Sequence, residues 1–324
     1  MKVLVTGGAG YIGSHVVRQL GEAGHDIVVL DNLSTGFRRA VLAGELVVGD
    51  VGDIALLDDL FFEHDFDAVL HFAAKIVVPE SVENPLLYYR NNTVNTLGLI
   101  EACVRHSVKY FVFSSTAAVY GEPETQQVTE DDPLLPINPY GASKMMSERM
   151  LMDTAAASGL NYVILRYFNV AGADPEGRIG QATPEATHLI KVACETALGK
   201  RTGMSIFGED YPTPDGTCVR DYIHVDDLGR AHLDALDYLA LGKASAVLNC
   251  GYGKGYSVKE VIDTVKRVSG NDFPVTMEGR RAGDPPELIA VNRRIQEVLG
   301  WQPRFNDIEF IVRTAYEWEA KIRT

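Results

Sequence analysis

A tyrosine and a lysine that could share a proton lie four residues apart in the segment Tyr140-Gly141-Ala142-Ser143-Lys144. On a helix this spacing places both side chains on one face, one turn apart. The unperturbed pKa of tyrosine is about 10, too high for a base at neutral pH, but a nearby ammonium favours the phenolate and lowers that pKa. The pair is therefore suited to removing a proton from an alcohol during a hydride transfer, with Tyr140 as the general base.

A hydroxyl side chain, that of Thr116, is expected beside this pair. It lies in the segment Ser114-Ser115-Thr116-Ala117-Ala118-Val119-Tyr120-Gly121, which follows an apolar run that predicts a strand. Ligands of open α/β sheets bind at the carboxyl ends of the strands. Thr116 could therefore polarise the same substrate oxygen as Tyr140, although a Ser/Thr turn that caps the strand fits the same residues.

A glycine-rich loop at the start of the chain predicts a dinucleotide site. The segment Thr6-Gly7-Gly8-Ala9-Gly10-Tyr11-Ile12-Gly13 follows a predicted strand and opens a predicted helix. Gly7, Gly10 and Gly13 allow a tight turn and let backbone N–H groups approach a pyrophosphate, and the helix N-terminus adds partial positive charge. In this context a glycine-rich turn without a ligand is the weaker interpretation.

Two acidic residues that follow the next strands indicate which dinucleotide is bound. Asp31 ends the second predicted strand, where a carboxylate accepts hydrogen bonds from the adenosine ribose and repels a 2′-phosphate. The sequence thus favours NAD over NADP as the cofactor, although Arg38 and Arg39 weaken this inference. Asp50 follows the third strand and could meet the adenine amino group, a position that is nearly uninformative by itself.

The elements that must position these residues alternate between strands and helices. The predicted strands are continuous apolar runs, which is typical of strands buried on both faces of a parallel sheet. They are Lys2–Thr6, Ile27–Leu30, Leu46–Val48, Ala68–His71, Tyr110–Ser114 and Tyr162–Arg166. Helical periodicity is present at Tyr11–Ala23, Leu86–His106, Pro139–Ala157, Pro184–Gly199, Asp226–Leu241, Ser257–Ser269 and Asp307–Lys321. This alternation predicts an α/β fold with a doubly wound parallel, Rossmann-type sheet.

The chain is expected to contain two parts. Residues 1–169 form the predicted NAD-binding domain, and residues 170–324 form a smaller C-terminal lobe that mainly binds substrate. Gly and Pro accumulate early in this lobe, at Ala173–Gly180 and Gly208–Gly216. The region of about 220–250 is expected to return to the sheet, with a strand at Val247–Cys250.

Composition excludes several classes of function. The 30 Lys and Arg residues against 44 Asp and Glu give a net charge of −14, which disfavours binding to nucleic acid or to an anionic membrane. The four cysteines are far apart and form no CxxC pair, which disfavours a disulfide framework or a zinc site and predicts a cytoplasmic protein. No histidine pair lies in a carboxylate-bearing motif, so we predict no metal. No apolar run approaches the roughly 18 residues of a membrane helix, and a strand at Lys2 leaves no room for a signal peptide.

With these motifs in place, the sequence resembles the extended short-chain dehydrogenase/reductases and, more narrowly, the UDP-glucose 4-epimerases (UDP-galactose 4-epimerases). The resemblance covers essentially the whole chain. Besides the glycine loop and the Tyr–Lys segment, it rests on Asp31-Asn32-Leu33, His71-Phe72-Ala73-Ala74, Ser114–Gly121, Arg166-Tyr167-Phe168-Asn169, Gly216–Leu228 and Arg281-Ala282-Gly283-Asp284. It implies an NAD-dependent enzyme that interconverts UDP-galactose and UDP-glucose through a transient 4-keto sugar.

The resemblance also implies roles for individual positions. Tyr140, Lys144 and Thr116 match the catalytic residues. The positions that match contacts to NAD are Gly7, Gly10, Tyr11, Ile12, Gly13, Asp31, Asn32, Leu33, Ser34, Thr35, Gly36, Asp50, Val51, Phe72, Ala73, Ala74, Lys75, Ile76, Asn91, Tyr140, Lys144 and Phe168. The positions that match contacts to the UDP-sugar are Thr116, Tyr140, Asn169, His188, Leu189, Phe207, Arg220, Arg281, Asp284 and Leu288.

The cations among the substrate positions suit a diphosphate. Because the protein carries a net charge of −14, a pyrophosphate has to be held by fixed positive groups. Arg220 and Arg281 are candidates, since a guanidinium can grip phosphate through paired hydrogen bonds. Asp284 could accept a hydrogen bond from a ribose hydroxyl.

Some positions depart from the family pattern. A lysine of some members is replaced by Ile76, with Lys75 beside it, and an asparagine near the uridine appears as His188. Thr116 replaces a serine and keeps the hydroxyl. The resemblance implies that Leu288 borders the sugar, where it is smaller than the aromatic residue of enzymes confined to glucose and galactose. We therefore predict weak conversion of UDP-N-acetylglucosamine, unless Leu288 is a plain core residue.

Individual residues argue against other functions on this fold. Related dehydratases and decarboxylases resemble one another in carrying Asp or Glu after the hydroxyl residue. Here those positions are Ala117 and Ala118, whose side chains can neither donate nor accept a proton, so these two reactions are disfavoured. An epimerase of another sugar, such as a UDP-hexuronate, stays open, although no cation is obviously dedicated to a C6 carboxylate. A non-enzymatic NAD-sensing protein would not need Tyr140 and Lys144. A homodimer is predicted from the resemblance alone, through the helices at Leu86–His106 and Pro139–Ala157.

Overall fold

A computed structural model describes residues 1–123, 125–183, 186–281 and 284–322. The strands are β1 (Lys2–Thr6), β2 (Asp26–Asp31), β3 (Glu45–Val48), β4 (Ala68–His71), β5 (Tyr110–Thr116), β6 (Gln127–Val128), β7 (Asn161–Tyr167), β8 (Asn169–Ala171), β9 (Met204–Phe207), β10 (Val219–His224), β11 (Ala246–Cys250), β12 (Gly255–Ser257), β13 (Val275–Glu278) and β14 (Glu287–Ala290).

The helices lie between these strands and after them. They are α1 (Tyr11–Glu22), α2 (Ile54–Glu63), α3 (Val78–Glu83), α4 (Pro85–Tyr88), α5 (Asn95–Arg105), α6 (Pro139–Ala157), α7 (Leu189–Ala197), α8 (Val225–Ala240), α9 (Val258–Ser269), α10 (Arg293–Leu299) and α11 (Ile308–Lys321). Within the described residues, no helix combines the length and the apolar composition needed to cross a bilayer.

A seven-stranded parallel sheet forms the centre of the fold, in the order β11-β7-β5-β4-β1-β2-β3. The strand order reverses at β1, which lies between β2 and β4, and such a reversal opens a crevice at the carboxyl ends of the strands. The loops that follow β1, β2, β4 and β5 therefore meet at one edge. The fold is the predicted α/β class with a doubly wound sheet.

Both faces of the sheet are covered, which explains the continuous apolar runs. Successive side chains of a strand point to opposite faces. In β1, Val3 and Val5 pack into the core shared with α1 and α8, whereas Leu4 packs into the core shared with α2, α5 and α6. Each strand thus buries apolar side chains in two separate cores.

Smaller sheets and three helices build the region that follows β7, and β6, which precedes β7, joins one of these sheets. One sheet has the order β12-β10-β14-β6, with β8 also pairing with β10, and a two-stranded sheet joins β9 to β13. Helices α7, α9 and α11 pack on one another. In contrast, β11 leaves this region and pairs in parallel with β7 at the edge of the large sheet.

The helix predicted at Leu86–His106 is interrupted, and this prediction is corrected. A π-helical turn at Tyr89–Val94 separates α4 from α5. The Asn92 carbonyl accepts hydrogen bonds from the hydroxyls of Thr96 (2.5 Å) and Ser147 (3.0 Å), so side chains take part in bonding that a regular helix leaves to the backbone. π-Turns of this kind are frequent at functional sites.

Two other predicted elements differ from the structure by two residues or more at one or both ends, and several differ by a single residue. Strand β5 continues two residues beyond the predicted end at Ser114, because Ser115 and Thr116 still pair with β7. The helix predicted at Pro184–Gly199 occupies Leu189–Ala197 in the structure. Residues 184 and 185, and Ala282 and Gly283 of the motif that starts at Arg281, lie outside the described residues.

Candidate active site

The glycine loop after β1 makes a close turn against its neighbours. Gly7 has φ +74°, and a Cβ atom there would lie 2.6 Å from the backbone nitrogen of Ala73. A Cβ atom on Gly13 would lie 2.2 Å from the Gly7 carbonyl oxygen. Only glycine fits at these two positions, and the turn leads directly into α1, whose first N–H groups have no partner within the helix. The loop therefore presents donors where an anionic pyrophosphate could bind.

Asp31 ties the end of β2 to this loop. Its carboxylate is buried and accepts hydrogen bonds from the backbone N–H groups of Ala9 (2.9 Å) and Leu33 (2.8 Å). Each carboxylate oxygen keeps a second lone pair, so a ribose hydroxyl can still donate to Asp31. Leu33 has φ 57°, a left-handed conformation that is strained for leucine, and it turns the chain back toward the glycine loop.

The segment from Asn32 to Gly36 closes over the glycine loop. A Cβ atom on Gly36 would lie 2.8 Å from the Ala9 carbonyl carbon. Asn32 donates to Asp50 (2.7 Å), which joins the loops after β2 and β3. A cavity of about 190 Å³ borders Gly10, Tyr11 and Thr35. Val51 faces the core instead, so it can contact a ligand only through its backbone.

The segment from Phe72 to Ile76 continues β4 into the same crevice. The Phe72 N–H donates to the Thr6 carbonyl (2.9 Å), which holds this segment beside the glycine loop. The backbone of Lys75 is bonded at both its N–H (2.8 Å) and its carbonyl (2.9 Å) by the side chain of Asn92. Ile76 is exposed. Asn91, the residue chosen from the sequence, donates to the Asn92 side chain (3.0 Å).

Helix α6 carries the tyrosine and the lysine into the interior. Asn138 caps its first turn by accepting from the Gly141 N–H (2.9 Å), and Pro139 takes the first helical position. Tyr140 is 7% exposed and Lys144 is 3% exposed. The Lys144 ammonium donates to the Ser114 carbonyl (2.9 Å), at the end of β5. The structure thus brings Tyr140 and Lys144 to the carboxyl end of β5, which also carries Thr116.

Burial is the largest influence on the pKa of both Tyr140 and Lys144. Burial raises the pKa of Tyr140, and the neighbouring Thr116 hydroxyl opposes that rise. Burial also lowers the pKa of Lys144 to about 8, while the nearby Glu148 carboxylate acts in the opposite direction. The spacing of the two residues predicts an ammonium that lowers the tyrosine pKa. In the structure desolvation is the larger effect on both groups.

The proposed nucleotide-binding residues form two groups in the region after β7. Arg220 on β10 pairs with Asp284 (3.2 Å), and Leu288 lies opposite Arg220 in the pairing of β10 with β14. The Arg281 guanidinium lies 3.6 Å from the centre of the Phe207 ring at the end of β9. This first group joins the loop before β14 to β9 and β10.

The second group lies where β8 approaches α7. Asn169, His188 and Leu189 line one cavity of about 60 Å³ together with Gln181. The Gln181 amide donates to Nδ1 of His188 (2.9 Å), which leaves the Nε2–H of a neutral His188 as a donor. Burial lowers the pKa of His188, in keeping with the neutral form. Phe168 packs in a separate core cluster with Ala117 and Tyr120, beside Leu288.

Comparison with known proteins identifies the family. The family model "NAD dependent epimerase/dehydratase family" matches residues 3–251. The chain belongs to this family. It is 59% identical, over 99% of its length and 92% of the relative's, to a UDP-glucose 4-epimerase of Azospirillum brasilense.

Solved structures of the epimerase/dehydratase family agree with this assignment. The chain is 45% identical to the UDP-glucose 4-epimerase from Brucella ovis in complex with NAD, with a TM-score of 0.95 and 98% of each chain covered. It is 53% identical to the UDP-Glc/GlcNAc 4-epimerase from Campylobacter jejuni, with a TM-score of 0.87 and 99% of each chain covered.

Within this epimerase/dehydratase chain, Asn92 is a site residue that sequence reasoning missed. Its side chain holds Lys75 and also donates to the Ser143 hydroxyl (3.0 Å), between Tyr140 and Lys144. The segment after β4 and the Tyr–Lys helix are thereby joined by one amide. The sequence shows two adjacent asparagines, at 91 and 92, but it does not show the π-turn that points Asn92 inward, because that turn depends on tertiary contacts.

A second missed residue is His71 at the end of β4. Its Nδ1 lies 2.6 Å from the Thr6 hydroxyl and its Nε2 lies 2.8 Å from the Thr96 hydroxyl. Because Thr96 donates its own proton to the Asn92 carbonyl, Nε2 of His71 must be the donor to Thr96 and Nδ1 the acceptor from Thr6. Burial, together with the charge of Lys144, lowers the pKa of His71 to about 3, so the ring is neutral.

Proposed function

We propose that this chain catalyses the NAD-dependent 4-epimerisation of nucleotide sugars and interconverts UDP-galactose and UDP-glucose. The observation that carries this proposal is the meeting of Tyr140, Lys144 and Thr116 at the end of β5, in the crevice bordered by the glycine loop. The identity to UDP-glucose 4-epimerases over nearly the whole chain supports the choice of substrate.

The residues around the crevice fit NAD. The glycine loop and the start of α1 would hold the pyrophosphate, and Asp31 would accept from the adenosine ribose. When bound, NAD supplies a reversible hydride acceptor for C4 of the sugar. The carboxylate of Asp31 at this position favours NAD over NADP.

The protein's own part of the reaction is to move one proton and to hold the sugar. Tyr140 takes the proton of the C4 hydroxyl and later returns it, and Thr116 polarises the same oxygen. The Lys144 ammonium stabilises the phenolate of Tyr140, against the burial that raises its pKa. Between the two transfers, the transient 4-keto sugar turns within the site and presents its other face.

The absence of a further acid beside Thr116 separates this reaction from dehydration. Loss of water from a sugar needs a group that protonates the departing hydroxyl. Ala117 and Ala118 follow Thr116 directly, and Ala117 is buried in the core with Tyr120. Neither side chain can carry a proton.

The UDP part is assigned to the two groups of residues after β7. Arg220 and Arg281 supply positive charge for the pyrophosphate, and Asp284 would exchange its bond with Arg220 for one with the ribose. Asn169, His188, Leu189 and Phe207 complete the proposed contacts. On this basis we propose a cofactor-binding domain at 1–169 and a mainly substrate-binding lobe at 170–324.

The sugar pocket is proposed to admit an N-acetyl group at C2. Leu288 lies opposite Arg220 and packs beside Phe168, which is consistent with a position at the sugar. The 53% identity to a UDP-Glc/GlcNAc 4-epimerase supports this extension. Conversion of UDP-N-acetylglucosamine should be detectable but weaker than that of UDP-glucose. The smaller side chain of Leu288 removes a steric clash with the N-acetyl group but makes no specific contact with it. Its loss in Leu288→Tyr, with UDP-galactose conversion retained, would identify Leu288 as the gate.

We propose that the protein is a homodimer whose interface is formed by the segment from α4 to α5 and by α6. Leu86, Val94, Leu97 and Val104 are exposed on the segment from α4 to α5, as are Met146 and Met152 on α6. Exposed apolar side chains on neighbouring helices are typical of a surface that a second chain covers. The expected molar mass in solution is twice the 35.5 kDa of one chain. The four free buried cysteines support the further proposal of a cytoplasmic location.

The decisive test is incubation of the purified protein with UDP-galactose and no added nucleotide. The expected product is UDP-glucose, and denaturation of the same sample should release NAD. The cofactor is regenerated in every cycle and has no need to leave. Well-folded, NAD-replete protein that leaves UDP-galactose unchanged would refute the proposal, and a parallel incubation with a UDP-hexuronate would identify the alternative substrate.

A further inference from the structure

A buried cluster behind the reacting residues takes no part in the proton transfer described above. Glu148 lies one turn beyond Lys144 on α6, with its side chain 1% exposed. The Ser115 hydroxyl donates to its Oε1 (2.5 Å). Arg166 donates through Nη2 to Oε2 (2.7 Å) and through Nε to both oxygens (3.1 Å each). These bonds hold the carboxylate in one orientation.

Ser115 connects this cluster to the reacting groups through the backbone of β5. Ser114 precedes it, and the carbonyl of Ser114 accepts the bond from Lys144. Thr116 follows it. Because side chains alternate along a strand, Ser115 shares the face of β5 that carries Phe113, whose ring lies 4.9 Å from the Lys144 ammonium. The bond from Ser115 to Glu148 thus pins β5 to α6 at the place where both present their reacting groups.

The other side of Glu148 is fixed by a chain of buried bonds. The Nη1 group of Arg166 donates to the Tyr120 hydroxyl (3.0 Å) and to the Glu130 carbonyl (3.3 Å). Tyr120 donates in turn to Asn249 (2.6 Å) at the end of β11. A buried ion pair needs such additional hydrogen bonds to compensate its desolvation. These bonds hold the guanidinium of Arg166, and with it the carboxylate of Glu148, in place.

The charges around Lys144 give Glu148 a particular effect. The titratable and charged groups that face the Tyr140–Lys144 pair are Glu148 on the same helix, Tyr167 on β7, His71 on β4 and Tyr88 on α4. Burial lowers the pKa of Lys144 to about 8, and Glu148 is the group that raises it. His71 is neutral, and the positive charge of Arg166 is paired with Glu148.

We propose that Glu148 is a positioning residue for the reaction: held by Ser115 and Arg166, it fixes the end of β5 against α6 and keeps Lys144 an ammonium beside Tyr140. Glu148 touches neither substrate nor cofactor and acts through these neighbours. The inference rests on the proposed function, because it assigns Glu148 to the proton transfer at Tyr140.

Two variants separate the two parts of this role. Glu148→Gln keeps the shape and an acceptor for Ser115 but removes the charge, whereas Ser115→Ala keeps the charge and removes the bond to β5. Glu297→Gln is the matched control, since it changes a carboxylate to an amide on the exposed surface of α10, where Glu297 pairs with Arg293. For each protein, kcat and KM for UDP-galactose are measured against pH, together with the NAD released on denaturation.

Glu148→Gln should lower kcat about tenfold, with KM and NAD content unchanged, because a loosened site costs less than the roughly hundredfold of a full 1 Å misplacement. Its activity should also fall at a pH lower by about one unit or more, because Lys144 loses its proton sooner without the neighbouring carboxylate. Ser115→Ala should lower kcat without moving the pH profile. Glu297→Gln should match the wild type in every measurement.

The inference is overturned if Glu148→Gln and Ser115→Ala both retain wild-type kcat and an unshifted pH profile. If Glu148→Gln does not fold, Ser115→Ala decides alone, and an unchanged kcat in that variant overturns the positioning role. These outcomes are distinct from failure of the proposed function, in which the wild-type protein itself leaves UDP-galactose unchanged while the control variant behaves in the same way.

Discussion

The two ends of the proposed site hold their charges in different ways. At the reacting end, Tyr140 and Lys144 are buried. Burial raises the pKa of Tyr140 and lowers that of Lys144, which favours the neutral form of each. At the nucleotide end, Arg220 pairs with a half-exposed Asp284, and Arg281 lies on the ring of Phe207. The first end belongs to the large parallel sheet and the second to the small sheets that follow it.

This difference corresponds to what each end has to do. A proton carrier must change its charge during the reaction, and burial makes that charge sensitive to neighbouring groups. A phosphate-binding arginine has to keep its charge and exchange one partner for another, and partly exposed ion pairs are weak enough to be exchanged. Substitutions at the two ends should therefore affect different kinetic parameters.

The largest effect is expected at the buried end. Tyr140→Phe keeps the packed ring and removes the proton acceptor, so kcat should fall on the order of hundredfold or more while the fold and NAD content are retained. Lys144→Ala should also be poor, because the phenolate loses its cation. Tyr162→Phe, at the opposite end of β7, is the control. Near-normal turnover in Tyr140→Phe would remove this residue from the mechanism and end the distinction between the two regions.

At the nucleotide end, Arg220→Gln should raise KM and leave kcat almost unchanged. A hydrogen bond to a charged group contributes about 1.5–3 kcal/mol, which corresponds to an increase in KM of roughly tenfold to hundredfold. Steady-state kinetics with UDP-galactose measure both parameters. Arg293→Gln, which breaks an exposed pair with Glu297, should change neither. A fall in kcat with an unchanged KM would show that the two ends are not separate.

The preference for NAD over NADP depends on whether Asp31 outweighs the nearby Arg38 and Arg39. Protein stripped of nucleotide should bind NAD at least tenfold more tightly than NADP, a difference of about 1.4 kcal/mol, because Asp31 would face the added phosphate. Asp31→Asn should narrow this preference, since it removes the charge and keeps an acceptor. Calorimetric titration with both nucleotides gives the ratio. Equal affinities in the wild type would show that Arg38 or Arg39 overrides Asp31.

The smallest effects are expected at two helix ends, one in each region. Ser107 follows α5 with φ 57°, and its N–H and that of Val108 bond back to the helix at Val104 and Cys103. Gly270 follows α9 with φ 69°. The left-handed conformation costs a non-glycine residue about 1–2 kcal/mol, against about 0.4–1 kcal/mol for the greater unfolded-state entropy of glycine.

Ser107→Gly should therefore stabilise the protein by up to about 1 kcal/mol, and Gly270→Ser should destabilise it by a similar amount. Both changes lie away from the site, so activity should be unaffected. Chemical denaturation of the two variants measures the free energy of unfolding. Shifts of the same sign would mean that the ends of α5 and α9 are not under equivalent strain.

The two regions also differ in how much of them the sequence reveals. The inner strands of the large sheet are buried on both faces and read as apolar runs, so β1 and β4 were predicted with their observed bounds. Helix α6 was predicted with its observed bounds as well, because Asn138 and Pro139 mark its start. Strands such as β8 and β12 are three residues long and pair only with β10, and so short a run carries no periodicity.

At the site, local motifs were visible and tertiary effects were not. The glycine loop and the Tyr–Lys spacing each lie within one short segment. In contrast, the inward position of Asn92 depends on a π-turn, and the pKa of Tyr140 depends on burial by distant elements. The pairing of Glu148 with Ser115 and Arg166 joins three elements, and no spacing within one segment predicts it.

The order of the large sheet has a consequence for biosynthesis. Strand β1 precedes the other described strands in the chain and occupies an inner position of the sheet. The helix after it packs on α8, and His15 and Arg18 bond to Asp226 at 2.5 and 2.9 Å across more than 200 residues of sequence. The edge strand β11 is made later still. Pairing over such distances is slow, and incomplete apolar faces are prone to aggregate. The nascent chain therefore cannot close its sheet until β11 at Ala246–Cys250 has followed β1 at Lys2–Thr6, and chaperone protection matters most during that interval.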